Sequence, residues 1–189
     1  MVSFNELAKL VVAYLVKQDI IESGQEEIYI YGFQRMFIDI IHMVSILFIG
    51  FLFGEVVGVL GFFTAFRLLR SYAGGYHAST QGRCYILTMF IIIISLSTIK
   101  YITINMVLAL ILWLLFGIVI FLWAPVEAEN KPLEQMEIEV YGRRAKQIWC
   151  LETICFAISL ASNWESVYEG ILLASICTGL SLMMAKIEK

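Results

Sequence analysis

Apolar positions along this chain fall into long blocks. Four of them, Met36–Phe53, Tyr85–Ile99, Met106–Trp123 and Val167–Ala185, approach the roughly 20 residues that a helix needs to cross hydrocarbon. A fifth, Ile148–Ala161, is apolar apart from Glu152 and a few small polar residues. The sixth, Val56–Phe66, is short. As a helix it covers about 17 Å, against roughly 30 Å of bilayer core. It must extend to Arg70, sit where the bilayer thins, or dip in and return. Ahead of these blocks, Phe4, Leu7, Ala8, Val11, Tyr14 and Leu15 recur at helical spacing after a Ser3–Glu6 capping pattern. This predicts an amphipathic helix within residues 1–22, lying on a membrane surface or packed on the rest of the chain. Ser23 and Glu26 repeat the capping pattern and predict the start of the helix that runs into the first block.

Charge placement decides among the options for the sixth block. With six crossings and the N-terminus inside, every Lys and Arg except Lys100 falls on the inner side, twelve of the 13 basic residues. If Val56–Phe66 returned to its own side, the later loops would flip and the split would fall to nine against four. Cytoplasmic loops are enriched in Lys and Arg, so six crossings are favoured, the second one short or partly re-entrant.

Composition agrees. Hydrophobic residues make up 60%, charged residues 15%, and mean hydropathy is +0.84. A soluble domain is roughly 45–50% apolar and about 25% charged, and disorder requires far less apolar content. The net charge of −3 argues against a basic nucleic-acid binder. No basic segment followed by an apolar core opens the chain, so a signal peptide is not expected. The fold class predicted is an all-α polytopic membrane protein, one domain over residues 1–189, with inner-face loops at 67–84 and 124–147.

Candidate chemistry is sparse. Cys150, Cys155 and Cys177 lie within apolar stretches and read as small buried hydrophobes; no zinc-type spacing and no disulfide framework is apparent. Cys84 differs, because it stands just before an apolar block. If Thr80 caps that helix, Cys84 lies near its first turn, where the helix dipole, together with Arg83, favours the thiolate that serves as nucleophile. His77 precedes it by seven residues, and Gly74 and Gly75 allow the backbone to fold the imidazole toward the thiol. A histidine beside a cysteine serves as its base or as its ion-pair partner. From spacing alone the signal is weak, because a histidine and a cysteine seven apart occur often by chance, and an unrelated interfacial histidine and cysteine is the simpler reading. A rival constellation is Asp39 and His42 in the first block with Glu152 in the fifth. Ionisable groups inside a membrane are costly, so these three suggest a small transporter or proton-coupled channel, or an internal hydrogen bond that locks helix packing.

The stretch Arg70, Ala73, Gly74, Gly75, Tyr76, His77, Ala78 and Cys84 resembles the accessory gene regulator B proteins of Gram-positive quorum sensing. The resemblance extends to Tyr31, Gly32 and Gln34 before the first block, and to Ala124, Pro125, Lys131 and Pro132 after the fourth. It implies a membrane cysteine endopeptidase without cofactor or metal, in a bacterial cell membrane with termini and catalytic loop cytoplasmic. The implied substrate is an accessory gene regulator D propeptide. Cys84 would attack the junction between pheromone and tail, with His77 moving the proton, and an internal cysteine or serine of the propeptide would then close a thiolactone or lactone. Gly75 would permit close backbone approach. Arg70 would bind the acidic tail or a propeptide carboxylate, or snorkel; Gln34 would orient His77, polarise the carbonyl, or hold a helix end. Because residues 127–139 carry five glutamates, either tail binding would fall to Arg143, Arg144 and Lys146, or the tail would differ in charge. A homodimer is a further expectation, and no nucleic-acid partner is expected.

Overall fold

The computed structural model describes residues 4–22, 24–76, 80–127 and 133–187. It is all-helical, as the apolar blocks predict. The helices are α1 (Phe4–Lys17), α2 (Glu26–Phe53), α3 (Val56–Ala73), α4 (Gln81–Tyr101), α5 (Met106–Trp123), α6 (Gln135–Ala161) and α7 (Glu165–Ile187). Among the described residues the extended backbone amounts to an isolated parallel bridge between Gly74 and Val126. Among the described residues five helices, α2, α3, α4, α5 and α7, are long and apolar enough to cross a bilayer. Large apolar side chains such as Phe51, Ile86 and Leu122 stand on the exterior, which suits lipid rather than water as surroundings. The protein is a polytopic all-α membrane protein.

The short second block is resolved by extension. α3 runs unbroken for 18 residues through Arg67 and Arg70 to Ala73, about 27 Å of helix, and does not turn back. Arg70 therefore stands on a helix, and the 67–84 loop shrinks to the few residues between α3 and α4. The 124–147 loop is likewise shorter than expected. α6 begins at Gln135, where the Glu137 carboxylate accepts the Glu134 N–H at 3.0 Å, a helix-start device that the acidic composition of the loop concealed. Ile148–Ala161 is the apolar half of this helix, whose first half is polar.

Two compact units divide the chain, Met1–Ser45 and Ile46–Lys189. In the first, α1 buries Ala8 and Val12 one turn apart while Leu10 and Tyr14 stay exposed. Gln34 of α2 donates to Asn5 Oδ1 at 2.8 Å. Ser3 and Ser23, the expected caps, lie outside the described residues.

The second unit is organised by α3 against α7. α3 buries Gly58, Val59, Phe62, Ala65, Leu69 and Ala73, and α7 buries Gly170, Ala174, Thr178 and Leu182 in one stripe. Small residues let the two backbones approach: a Cβ on Gly170 would lie 2.6 Å from the Gly58 carbonyl oxygen and 3.0 Å from the Phe62 nitrogen. Such seams hold membrane helices together through van der Waals packing, because lipid offers no hydrophobic drive for association. Around them, Trp113 of α5 stacks on Trp149 and Phe156 of α6 at 5.4 and 4.4 Å. Gly117 leaves the space that the Trp149 ring fills. The turn between α4 and α5 is tied to α7, since the Ile104 N–H donates to Glu169 and the Tyr168 hydroxyl donates to the Ile104 carbonyl, each at 3.3 Å.

Cys150 and Cys155 are exposed rather than buried, and Cys177 is half-buried. An apolar helix in lipid gains nothing by turning a small apolar side chain inward, so the expectation of burial fails for the first two.

Gly170→Ala should lower the melting temperature in detergent despite the roughly 1 kcal/mol that alanine gains over glycine in a helix. Overpacking costs about 1–3 kcal/mol, and here the obstacle is backbone that has nowhere to move. Gly32→Ala, with nothing within 4 Å, should leave the melting temperature unchanged or raised.

Candidate functional site

The stretch that leaves α3 is shaped by its two glycines. Gly74 has φ 71° and Gly75 has φ 115°, both in the region that side chains disfavour. Space makes the same demand. A Cβ on Gly74 would sit 2.1 Å from the Val126 carbonyl oxygen, and one on Gly75 would sit 2.3 Å from the Arg70 guanidinium and 2.9 Å from Ser181 Oγ. The backbone is consequently threaded between three neighbours.

On one side lies Val126, in the segment that follows α5. The Val126 N–H donates to the Ala73 carbonyl at 2.9 Å, and the Gly75 N–H donates to the Val126 carbonyl at 3.3 Å. From behind comes Arg70, half-buried on the last turn of α3, whose guanidinium donates to the carbonyls of both Gly74 and Tyr76. From α7 comes Ser181, which receives the Tyr76 N–H at 3.1 Å on its backbone carbonyl and at 3.1 Å on Oγ. The next residue, His77, lies outside the described residues.

Further along the chain, Thr80 caps α4 as the sequence suggests. Its Oγ1 accepts the Arg83 N–H at 3.3 Å, and its carbonyl accepts the Cys84 N–H at 3.0 Å. Cys84 thus stands at the end of the first turn, half-buried, at the positive end of the helix dipole. The Arg70 guanidinium lies within electrostatic reach of its thiol. The held backbone and the helix start that carries Cys84 thus stand on either side, in the chain, of the three residues that include His77.

The remaining candidates are dispersed. Arg143, Arg144 and Lys146 are exposed on α6 and do not converge. Arg144 donates to the Tyr72 hydroxyl at 3.2 Å and covers its ring, whereas Lys146 lies over Phe121. Tyr72, Arg144, Gln147, Ile148 and Leu151 line an open cleft of about 270 Å³. Gln34 belongs to the Met1–Ser45 unit. So do Asp39, which pairs with Arg35 at 3.5 Å, and His42. Glu152, in the other unit, is buried with neither carboxylate oxygen hydrogen-bonded. No group of three or more His, Cys, Asp or Glu placed to hold a metal ion occurs among the described residues.

Residues 8–184 match the family model of Accessory gene regulator B. The chain belongs to this family. Among curated proteins it is 24% identical to an AgrB-like protein of Clostridium acetobutylicum over 152 residues, 80% of this chain and 72% of the relative. Two further AgrB-like proteins, from Clostridium perfringens strains SM101 and 13, are 25% and 27% identical over 137 residues, 69% of this chain and 64% of each relative. No solved structure matches. Membership in the AgrB family places the chain in the processing of a quorum-sensing peptide at a membrane.

Val126 and Ser181 are the site residues that sequence reading missed. A valine beside a proline and a serine within an apolar helix carry no mark of their own, and Ser181 lies 105 residues from the amide it receives.

Gly74→Ala and Gly75→Ala should each destabilise the protein, since left-handed backbone costs a non-glycine residue roughly 1–2 kcal/mol before any steric overlap is counted. Gly82→Ala, which meets nothing within 4 Å, should not. Melting temperatures of the three purified variants check this.

Proposed function

We propose that this protein is a membrane cysteine endopeptidase that removes the C-terminal tail of an autoinducer propeptide and passes the activated carbonyl on to ring closure. The observation that carries the reading is the clamped Ala73–Tyr76 backbone on one side of His77, with the capped helix start that presents Cys84 on the other.

In this mechanism His77 takes the Cys84 proton as Sγ attacks the carbonyl at the junction of pheromone and tail. The carbon–nitrogen bond then breaks, and His77 returns the proton to the departing amine. The tail leaves, and the pheromone segment remains as a thioester on Cys84. A propeptide cysteine or serine next attacks this thioester, giving up its own proton, while Cys84 departs and is reprotonated. Exchange of one thioester for another is nearly isoenergetic, so a thiolactone forms without ATP. Water must be kept from the acyl-enzyme until the ring closes, which a site beside the bilayer favours.

The distribution of basic residues supports an orientation with termini and catalytic loop in the cytoplasm. Arg144, beside the cleft at Tyr72, is the member of the basic trio best placed for an acidic tail, with Arg143 on the same helix. Co-expression with the cognate propeptide should yield a released tail and a thioester adduct at Cys84. Cys84→Ala should abolish both, and His77→Ala should reduce cleavage at least about 100-fold, the usual scale of a lost general base. Wild-type processing by either variant would refute the assignment.

Buried Glu152 favours a second reading, in which the chain moves a solute or proton across the membrane. Glu152→Gln separates the two. Flux lost from proteoliposomes with processing intact would support transport, whereas processing within about twofold of wild type and no flux in either protein would leave the peptidase reading alone.

A further inference from the structure

α6 changes character where it passes the end of α3. Its first half is polar, and its second half, Ile148–Ala161, is apolar. Arg144, Gln147, Ile148 and Leu151 fall on one side of the helix, at spacings of three and four. With Tyr72 from the last turn of α3 they line the open cleft of about 270 Å³. One end of the cleft is therefore polar and the other apolar. Past the cleft, Ile154 and Ile158 continue the same side of α6, and both are exposed, as is Leu151. From Gln147 to Ile158 this strip covers about 16 Å, close to half of the roughly 30 Å bilayer core. The buried side of α6 carries Ala145, Glu152, Phe156 and Ser159, so the strip looks away from the bundle interior.

The polar end is cationic. Arg144 donates to the Tyr72 hydroxyl at 3.2 Å and lies over its ring, while a guanidinium carries five N–H donors. Arg143 and Lys146 stand exposed beside it on the same helix. Two lysines at this end of the bundle also lie over aromatic rings, Lys146 on Phe121 at 5.9 Å and Lys186 on Trp123 at 4.6 Å. Aromatic and basic side chains gathered at one level mark the layer of lipid headgroups.

We infer that this cleft binds the headgroup of an anionic glycerophospholipid, with an acyl chain along the exposed strip of α6. The phosphodiester accepts from Arg144, from the Gln147 amide and from the Tyr72 hydroxyl. Guanidinium and phosphate match in charge and in shape, and basic pockets between membrane helices hold lipid headgroups in this way. A zwitterionic headgroup would bring its own cation against Arg143, Arg144 and Lys146, so a lipid of net negative charge is preferred. An acidic propeptide tail is the other anion for this end, and the two compete for one guanidinium. The apolar floor selects the lipid. A charged tail cannot follow the strip into hydrocarbon, whereas the acyl chain of a lipid held at Arg144 lies there by default. The assignment holds whatever chemistry Cys84 performs.

The test titrates full-length protein in detergent with dioleoylphosphatidylglycerol or dioleoylphosphatidylcholine. Native mass spectrometry counts the lipids retained, and melting temperature is followed in parallel. One phosphatidylglycerol should be held at concentrations about tenfold below those needed for phosphatidylcholine. Arg144→Gln should weaken phosphatidylglycerol binding about 10-fold or more, the scale of hydrogen bonds to a charged group, with the lipid-free melting temperature unchanged. Tyr72→Phe keeps the ring and should weaken binding about 2- to 10-fold, which gives the reading should Arg144→Gln fail to accumulate. Lys17→Gln removes one positive charge from α1 and should bind as wild type. Glycerol 3-phosphate, which has the phosphate without acyl chains, should not displace the lipid at equal concentration.

Equal retention of the two lipids overturns the inference. So does equal loss in Arg144→Gln and Lys17→Gln, which assigns binding to net charge alone. Displacement by glycerol 3-phosphate at equal concentration overturns it as well, because the apolar strip would then contribute nothing. If a hexaglutamate peptide loses affinity in Arg144→Gln while phosphatidylglycerol binds both proteins alike, the cleft is a peptide site and the lipid assignment fails.

Discussion

Close approach of α3 and α7 is the constraint on which the rest of the Ile46–Lys189 unit depends. Gly170 meets the Gly58 carbonyl and the Phe62 nitrogen at distances that exclude any Cβ, so the two backbones are in direct contact. In water, burial of large apolar side chains would favour such a pair. In lipid that drive is absent, and association comes from matched surfaces and many small dispersion contacts. The seam that begins at Gly58 and Gly170 continues through Ala65 and Ala174 toward Leu69 and Leu182. At that end of the helices Arg70 and Ser181 converge on the same short stretch of backbone.

The convergence answers a solvation problem. Between α3 and α4 the chain leaves helical geometry, and buried backbone N–H and C=O groups without partners are expensive. Arg70 takes two of these carbonyls, Ser181 takes one amide, and Val126 exchanges hydrogen bonds on the other side. Glycine at positions 74 and 75 lets the backbone reach all three partners, since both residues adopt positive φ. A half-buried arginine beside apolar helices is itself costly unless its donors are used. Here the cation and the irregular backbone satisfy each other.

The Cys84 side of the site is simpler, because it needs only a helix start. Thr80 supplies the cap, and Cys84 falls at the end of the first turn. Local sequence is enough to build this part, so the cap was legible before any coordinates. The same locality explains why α5, bounded by Asn105 and the proline after Ala124, has the limits that its apolar block predicts. It fails where a helix outruns its apolar block. α3 carries Arg67 and Arg70 on turns that hydropathy alone assigns to a loop, and α6 takes up Arg143, Arg144 and Lys146 before its apolar half begins. Backbone hydrogen bonding continues a helix through charged residues as long as their heads find partners or solvent.

By itself the sequence determined that this protein lives in a membrane, that it is built of helices, and that one short stretch combines paired glycines, a histidine and a cysteine. These follow from composition, spacing and local capping, which involve residues near one another in the chain. Tertiary structure alone decided which distant residues meet that stretch. Val126 and Ser181 lie roughly 50 and 105 residues beyond it, and their chemistry as a valine and a serine does not single them out. What selects them is the depth at which α7 packs on α3 and the path of the chain after α5. Both are set by the shapes of whole helix faces, and no local pattern records them.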